Sequence, residues 1–480
     1  RLGAAFREDH GRLRVGDATD NMSTLHGDWY DFVKALEGGV SFGRCFHSSV
    51  ITSAIYCFDY FGQFSLSYDG RLALVAPNRQ TTGMILPTRI LEQLDARWDD
   101  FSAFDLTSRG ESVEYGRALE ELARLTTVEI LDLIGTEETP GAIPTTEFNG
   151  MTIPFDKRWQ NHAEAREWAA GVLKGNPTLA VDGSQIPPPP GAMIPVAAVQ
   201  AAWFENLHTS DGAYQKQLEF ELLTQSDLRV EEGEERFYSE QKINLRRFEL
   251  EMRTLCRRIE VLADERRPDS LPLAFIDSSL VISFADRLQG DIRSRHIAAV
   301  LELLRCSERT GIPVVGYVDG SRARDLTHLL HLAFRLPSAE WIDDAMVLAS
   351  RLQWGDRTPI MICARGSADK SQSGILESLA EFRREIGFVY LGSGATARPA
   401  RLEIPLWVWR SGLLERVVDL VRAEVVVGNG YPYAIAAADA AAAMRGADRE
   451  QFYAIFQRFA ADRGLRSPIS PKVTSKGRRR

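Results

Sequence analysis

From about residue 151 onward, short apolar runs alternate with longer stretches in which apolar residues recur every three or four positions. The runs at 178–182, 194–203, 272–278, 312–318, 359–364 and 387–391 predict strands. The periodic stretches near 163–174, 239–265, 290–309, 322–335, 373–385, 411–423 and 434–461 predict helices. This alternation predicts an α/β domain with a mixed sheet. The cleanest stripe is Leu245, Phe248, Met252, Leu255, Ile259 and Leu262. Asn244 and Glu251 flank it, whereas Glu249 and Glu260 point further away at 100° per residue. Glu251 is therefore the glutamate best placed at the edge of a buried face. Arg246, Arg247, Arg257 and Arg258 make the rest of this helix basic. Either they pair with glutamates as a solvated face, or they face phosphates.

The first 150 residues read differently. Residues 1–21 are polar and charged, and are expected to be disordered or tag-like, with Met22 as a natural start. Residues 22–140 are expected to form an α+β module. Val50 to Phe64 is strand-like, Ser65 to Val75 reads as a hairpin turning at Asp69-Gly70, and 113–134 reads as an amphipathic helix. Residues 135–150 hold Gly, Pro and Thr without periodicity and are expected to be a linker. The predicted α/β domain then spans 150–462, with a rigid spacer at Pro187–Pro190 and a basic tail over 463–480.

Composition narrows the class. A chain of 480 residues accommodates two or three domains, and its hydrophobic fraction of 44% supports a sizeable core. No run reaches the roughly 18–20 apolar residues that a membrane span needs, and no signal peptide opens the sequence. The five cysteines (Cys45, Cys57, Cys256, Cys306, Cys363) show no C-x-x-C pair. They argue against a disulfide framework or zinc cluster and fit a reducing cytoplasm. The net charge of -9 leaves room for a locally basic groove.

The candidate chemistry is carboxylate chemistry. Thr178-Leu179-Ala180-Val181-Asp182-Gly183-Ser184 delivers Asp182 from an apolar strand into a Gly-Ser turn. Leu273-Ala274-Phe275-Ile276-Asp277-Ser278-Ser279 repeats the pattern with Asp277. Two acidic strand ends in one domain can converge on divalent ions, although Asp-Gly and Asp-Ser pairs are also ordinary turn chemistry. Asp439 sits within a run of alanines following Gly428-Asn429-Gly430-Tyr431-Pro432-Tyr433. Pointing inward it needs a metal or a donor; pointing outward it needs nothing. Gly428-x-Gly430 is too short to be a nucleotide fingerprint. His328 and His331, one helical turn apart, read as core or helix-edge residues. The chain shows neither a Ser-His-Asp set nor a Walker motif.

Taken in order, several segments resemble the NurA family of DNA-end-processing nucleases. They are Pro154-Phe155 with Arg158-Trp159-Gln160-Asn161-His162, Pro177 to Ile186, and Ile194-Pro195-Val196-Ala197. Next come Ile243-Asn244-Leu245-Arg246-Arg247 with Glu251, and Phe275 to Leu280. Gly316-Tyr317-Val318, Arg401 to Trp407, and Gly430 to Ala434 with Asp439 complete the set, which spans about 150–460. The resemblance implies an RNase H-like core: a mixed sheet flanked by helices, here with an additional N-terminal α+β region. It implies two divalent ions, Mn²⁺ or Mg²⁺, and a homodimer docked on a HerA-like hexameric ATPase. Such pairs process DNA ends in repair, and some act against phage. By position, Asp182, Glu251 and Asp277 would be metal ligands, and Tyr431 would lie near the scissile phosphate. Glu260 is the alternative helical carboxylate. Many archaeal members carry His where this chain has Asp439, which could serve as a fourth carboxylate ligand but not as an imidazole. That departure and the extra N-terminal region leave open a second expectation, a non-catalytic DNA-channel adaptor for a HerA-like ATPase.

Overall fold

The computed structural model describes residues 87–465, apart from 190–191, 230–237, 289, 367–373 and 395–397, together with four short strands before residue 87. Two compact units divide the chain, residues 1–101 and 102–480. In the first unit, Phe6–Asp9 pairs antiparallel with Arg12–Val15, inside the stretch expected to lack order. Phe64–Leu66 pairs with Leu72–Leu74 in the register Phe64↔Leu74, as the expected hairpin requires. The strand-like stretch before Phe64, and the basic tail from 466 onward, lie outside the described residues.

The second unit is built on one nine-stranded sheet. Its strands are β1 (Gly141–Pro144), β2 (Thr178–Ile186), β3 (Ala197–Asn206), β4 (Tyr214–Leu223) and β5 (Leu273–Ile276). Then follow β6 (Val314–Val318), β7 (Met361–Ala364), β8 (Ile386–Leu391) and β9 (Ala400–Pro405). The spatial order is β1-β7-β8-β9-β6-β5-β2-β3-β4. Within it, β4-β3-β2-β5-β6 is an RNase H-like core. β2, β5 and β6 run parallel, while β3 is antiparallel to both of its neighbours. The four remaining strands extend the sheet beyond β6 by antiparallel pairing.

Helices cover both faces. Alternation along the central strands decides which side chain meets which layer. Leu179 and Val181 of β2 join the core beneath α5 (Glu240–Asp264) and α6 (Gly290–Thr310). Ala180 joins the opposite core, beneath α4 (His162–Leu173), α8 (Leu414–Val427) and α9 (Tyr433–Ala442). The stripe predicted for α5 is buried as expected, from Leu245 to Leu262. Its arginines follow neither expected alternative cleanly, because most reach across to the sheet. Arg246 lies 2.8 Å from Glu221, Arg257 pairs with Glu219, and Arg258 pairs with the fully buried Glu205. Those guanidinium groups are occupied by carboxylates rather than presented to phosphates.

Several boundaries correct the sequence reading. The expected linker contains β1, which pairs with β7 at a sheet edge, where Pro144 can be tolerated. The helix expected over 113–134 is two helices, α2 (Trp98–Leu122) and α3 (Thr127–Ile134). The break occurs where Thr126 and Glu129 form a capping box. The helix expected over 434–461 is divided between α9 and α10 (Gly446–Asp462). The helix expected over 373–385 is reduced to a turn at Ile375–Ser378 and a 3₁₀ turn at Ala380–Phe382. Among the described residues no helix is long and apolar enough to cross a membrane. Cys256, Cys306 and Cys363 are buried and free. His331 hydrogen-bonds through Nδ1 to the Leu336 carbonyl and stacks on His328 at the edge of α7 (Asp325–Phe334).

Candidate active site

The site begins with strand register. β2 and β5 pair in parallel up to Val181↔Ile276, so Asp182 and Asp277 follow side by side on neighbouring strands. Neighbouring strands lie about 4.8 Å apart. Both carboxylates continue the side-chain series of Ala180 and of Phe275, which face α8 and α9. Asp182 is half-buried and Asp277 exposed.

Gly183 takes the next position on β2 and faces the other layer. The Glu251 side chain of α5 lies directly against it: a Cβ at residue 183 would stand 2.1 Å from Glu251 Oε1. Only glycine leaves room for the Glu251 side chain against this strand, near enough for Asp182 to raise its pKa. Arg247, one turn earlier, donates from Nη1 to the Gly183 carbonyl at 3.1 Å and lies 3.3 Å from Glu251 Oε1. Glu251 Oε1 is buried and has no hydrogen-bond partner. Glu260, the alternative in the sequence, lies elsewhere: it meets Arg309 of α6 at 2.8 Å in an exposed pair. Glu249 likewise turns to Arg295 of α6, at 2.6 Å.

The α8–α9 turn brings the C-terminal members. A Cβ at Gly428 would meet the Tyr431 carbonyl oxygen at 1.9 Å, and Asn429 and Gly430 both have left-handed φ, 58° and 113°. This tight reversal presents Tyr431, whose hydroxyl donates to Asp277 Oδ1 at 2.5 Å. The Tyr431 ring packs edge-on against Tyr317 of β6, with centroids 5.2 Å apart. Helix α9 is held at both ends. Buried Glu424 accepts from the Ala434 amide at 2.8 Å and from the Thr178 hydroxyl at 2.7 Å. At the other end, Ser184 and Gln200 both donate to the Ala442 carbonyl. Asp439, exposed on α9, stands near enough to Asp182 to raise its pKa.

Electrostatics mark the cluster as a place of unrelieved negative charge. Burial is the main cause that lifts the Asp182 pKa above the usual carboxylate range, and the charges of Asp439 and Asp277 add to it. The Gly183 amide and Arg247 oppose the shift without cancelling it. Burial also raises Glu251 to about 7, with Asp182 adding to the rise and Arg247 opposing it. Among the described residues no three His, Cys, Asp or Glu side chains are already gathered into a cation cage. The donor set is nonetheless all oxygen, one of its oxygens is buried without a hydrogen-bond partner, and two of its carboxylates hold protons abnormally well. Those are the properties that a hard divalent cation would relieve.

One further carboxylate escaped the sequence reading. Asp319 follows β6 and raises the pKa of both Tyr431 and Tyr317, so it lies on the same rim. Its signal was available: an apolar strand, Val314 to Val318, again ends in Asp-Gly.

The chain aligns with the catalytic domain of human endonuclease V at 13% identity and a TM-score of 0.27, covering 62% of this chain and 94% of that one. Endonuclease V from Bacillus subtilis aligns at 10% identity and a TM-score of 0.27, covering 64% and 97%. A NurA bound to dAMP and manganese aligns at 10% identity and a TM-score of 0.24, covering 52% and 81%. No residue role is carried over from these alignments. Comparison with the curated proteins gives no match. The model of the NurA domain matches residues 177–444, more than half of the chain. The match begins one residue before β2 and ends two after α9, enclosing every element that carries Asp182, Glu251, Asp277, Tyr431 and Asp439, and the chain belongs to the NurA family.

Proposed function

We propose that this protein is a divalent-metal-dependent DNA nuclease that hydrolyses phosphodiester bonds at DNA ends. The observation that carries this reading is the placement of Asp182, within β2, beside Asp277, just past the end of β5, with Glu251 laid against Gly183. Asp182, Glu251, Asp277 and Asp439 would hold the cations, Mn²⁺ or Mg²⁺, two per site. Ions bound there would supply an activated water and stabilise the departing oxygen. Arg247 holds Glu251 in place, and Tyr431 orients Asp277 through its hydroxyl. In this reading the protein works in the cytoplasm as a homodimer on a HerA-like hexameric ATPase, which moves the DNA. The setting is end resection, repair or phage defence.

Linear DNA incubated with Mn²⁺, with Mg²⁺ or with EDTA, with and without the cognate ATPase, tests the reading. Cleavage is expected with the ions and none with EDTA. Absence of cleavage in every divalent ion, with the ATPase bound and turning over, would instead assign the chain the role of a DNA-channel adaptor.

Gly183 gives a sharper test. Alanine there drives Glu251 aside, but the clashing atoms are the far end of a flexible side chain. The stability cost should stay within about 1–2 kcal/mol. The cleavage rate should fall about 10²-fold, as expected for a displacement of about an ångström in a site that works by positioning. Thermal unfolding and a single-turnover assay separate the two effects. A Gly183→Ala protein that cuts at the wild-type rate would remove Glu251 from the site.

A further inference from the structure

Glu403 belongs to β9, separated from β5 only by β6. It is 1% exposed. Its Oε1 accepts from Arg401 Nε at 2.8 Å, and Arg365 stands 3.8 Å away. Its Oε2 is used quite differently. It accepts from the Val281 amide at 3.0 Å and lies 2.6 Å from the Ser279 hydroxyl, which is also within reach of the Val281 carbonyl. Two residues further on, Arg365 Nη1 donates to the Ser283 hydroxyl at 2.8 Å while Arg365 Nε and Nη2 hold Asp325. A buried ionic cluster under the sheet therefore grips the segment that begins two residues after Asp277.

The ladder of β5 ends at Ile276 on both sides, so strand pairing no longer fixes the backbone at Asp277. Its side chain is exposed and receives the Tyr431 hydroxyl. Beyond that hydrogen bond, the backbone that carries Asp277 is held by the chain that follows. Arg401 and Arg365 share Asp325, at 3.0 and 2.6 Å, and Glu403 supplies their second negative charge through Oε1 alone; that role leaves the aim of Oε2 at the loop unexplained. We propose that Glu403 is a positioning residue, which fastens Ser279 and Val281 so that the Asp277 carboxylate is presented to a divalent cation. This inference rests on reading Asp277 as a metal ligand.

The test is calorimetric binding of Mn²⁺ to the full chain, for wild type, Glu403→Gln and Ser279→Ala, with amide exchange followed over 278–283. Both variants are expected to exchange faster in that segment and to bind Mn²⁺ about tenfold or more weakly, as loss of a partner behind a metal ligand does. Faster exchange with wild-type Mn²⁺ affinity would overturn the positioning role and leave the nuclease reading standing. If Glu403→Gln does not fold, Ser279→Ala decides alone, because it leaves the ionic cluster intact. Weaker binding in Ser279→Ala supports the role, and unchanged binding overturns it. A wild-type protein that binds no Mn²⁺ would remove the metal reading itself, and this inference with it.

Discussion

Asp182→Ala is expected to reduce DNA cleavage at least about 10²–10³-fold, the scale of losing one electrostatic element of a transition-state clamp. It should do so without loss of fold. Asp182 is half-buried, and its carboxylate is held above its usual pKa by burial first and by Asp439 and Asp277 in addition. Removing it relieves repulsion. In EDTA the variant should therefore unfold at the same temperature as wild type or higher. Adding Mn²⁺ should raise the unfolding temperature of wild type and leave that of the variant nearly unchanged, since a ligand stabilises only the state that binds it. Single-turnover cleavage and thermal unfolding with and without Mn²⁺ measure both. Near-wild-type cutting by Asp182→Ala would sink the nuclease site as described.

The second expectation concerns pH. The folded-state pKa of Glu251, about 7, lies above the ordinary 4.5. The folded protein thus binds this proton more tightly than the unfolded chain does. The resulting stabilisation is complete below about pH 4.5 and is lost as pH rises through about 7. In EDTA at pH 8 the ionised Glu251 should cost the fold on the order of a few kcal/mol. Glu251→Gln keeps the shape over Gly183 but cannot ionise. It should be more stable than wild type at pH 8, show a flatter stability profile between pH 4.5 and 7, and cut DNA at least about 10²-fold more slowly. Urea unfolding at several pH values, repeated with Mn²⁺, is the measurement. Identical pH profiles for the two proteins would show that Glu251 does not carry this charge cost.

How much of this was legible beforehand depends on the residue. Asp277 is legible because a strand end is a local pattern, apolar residues and then Asp; Asp182 shows the same pattern, but the Gly-Ser turn expected after it is strand, since β2 runs on to Ile186 in pairing with β3. Glu251 was half visible. Its place beside the α5 stripe follows from helical periodicity, but its preference over Glu260 needed Gly183 across the sheet, and no local rule links residues 183 and 251. The edge strands were missed for physical reasons. β1 contains Gly and Pro, which usually mark turns, and β4 alternates exposed Leu218, Phe220 and Leu222 with charged partners of α5. The buried ions Arg401, Glu403 and Asp325 could not be recognised at all. A charged residue reads as solvated until its partner is known, and Asp325 is distant in sequence from both Arg401 and Arg365.

Long separation also has a consequence for synthesis. Glu424, which ties the start of β2 to the start of α9, is 246 residues downstream of Thr178. At about 5–20 residues per second, translation needs roughly 12–50 seconds to cover that interval. Throughout it the emerging chain carries Asp182 without the helix that brings Asp439, and without the turn that brings Tyr431. The ribosome therefore releases Asp182 and its strand long before their surroundings exist. A nascent or prematurely terminated polypeptide lacks the completed site, so the protein acquires its chemistry only when its last helices have been made.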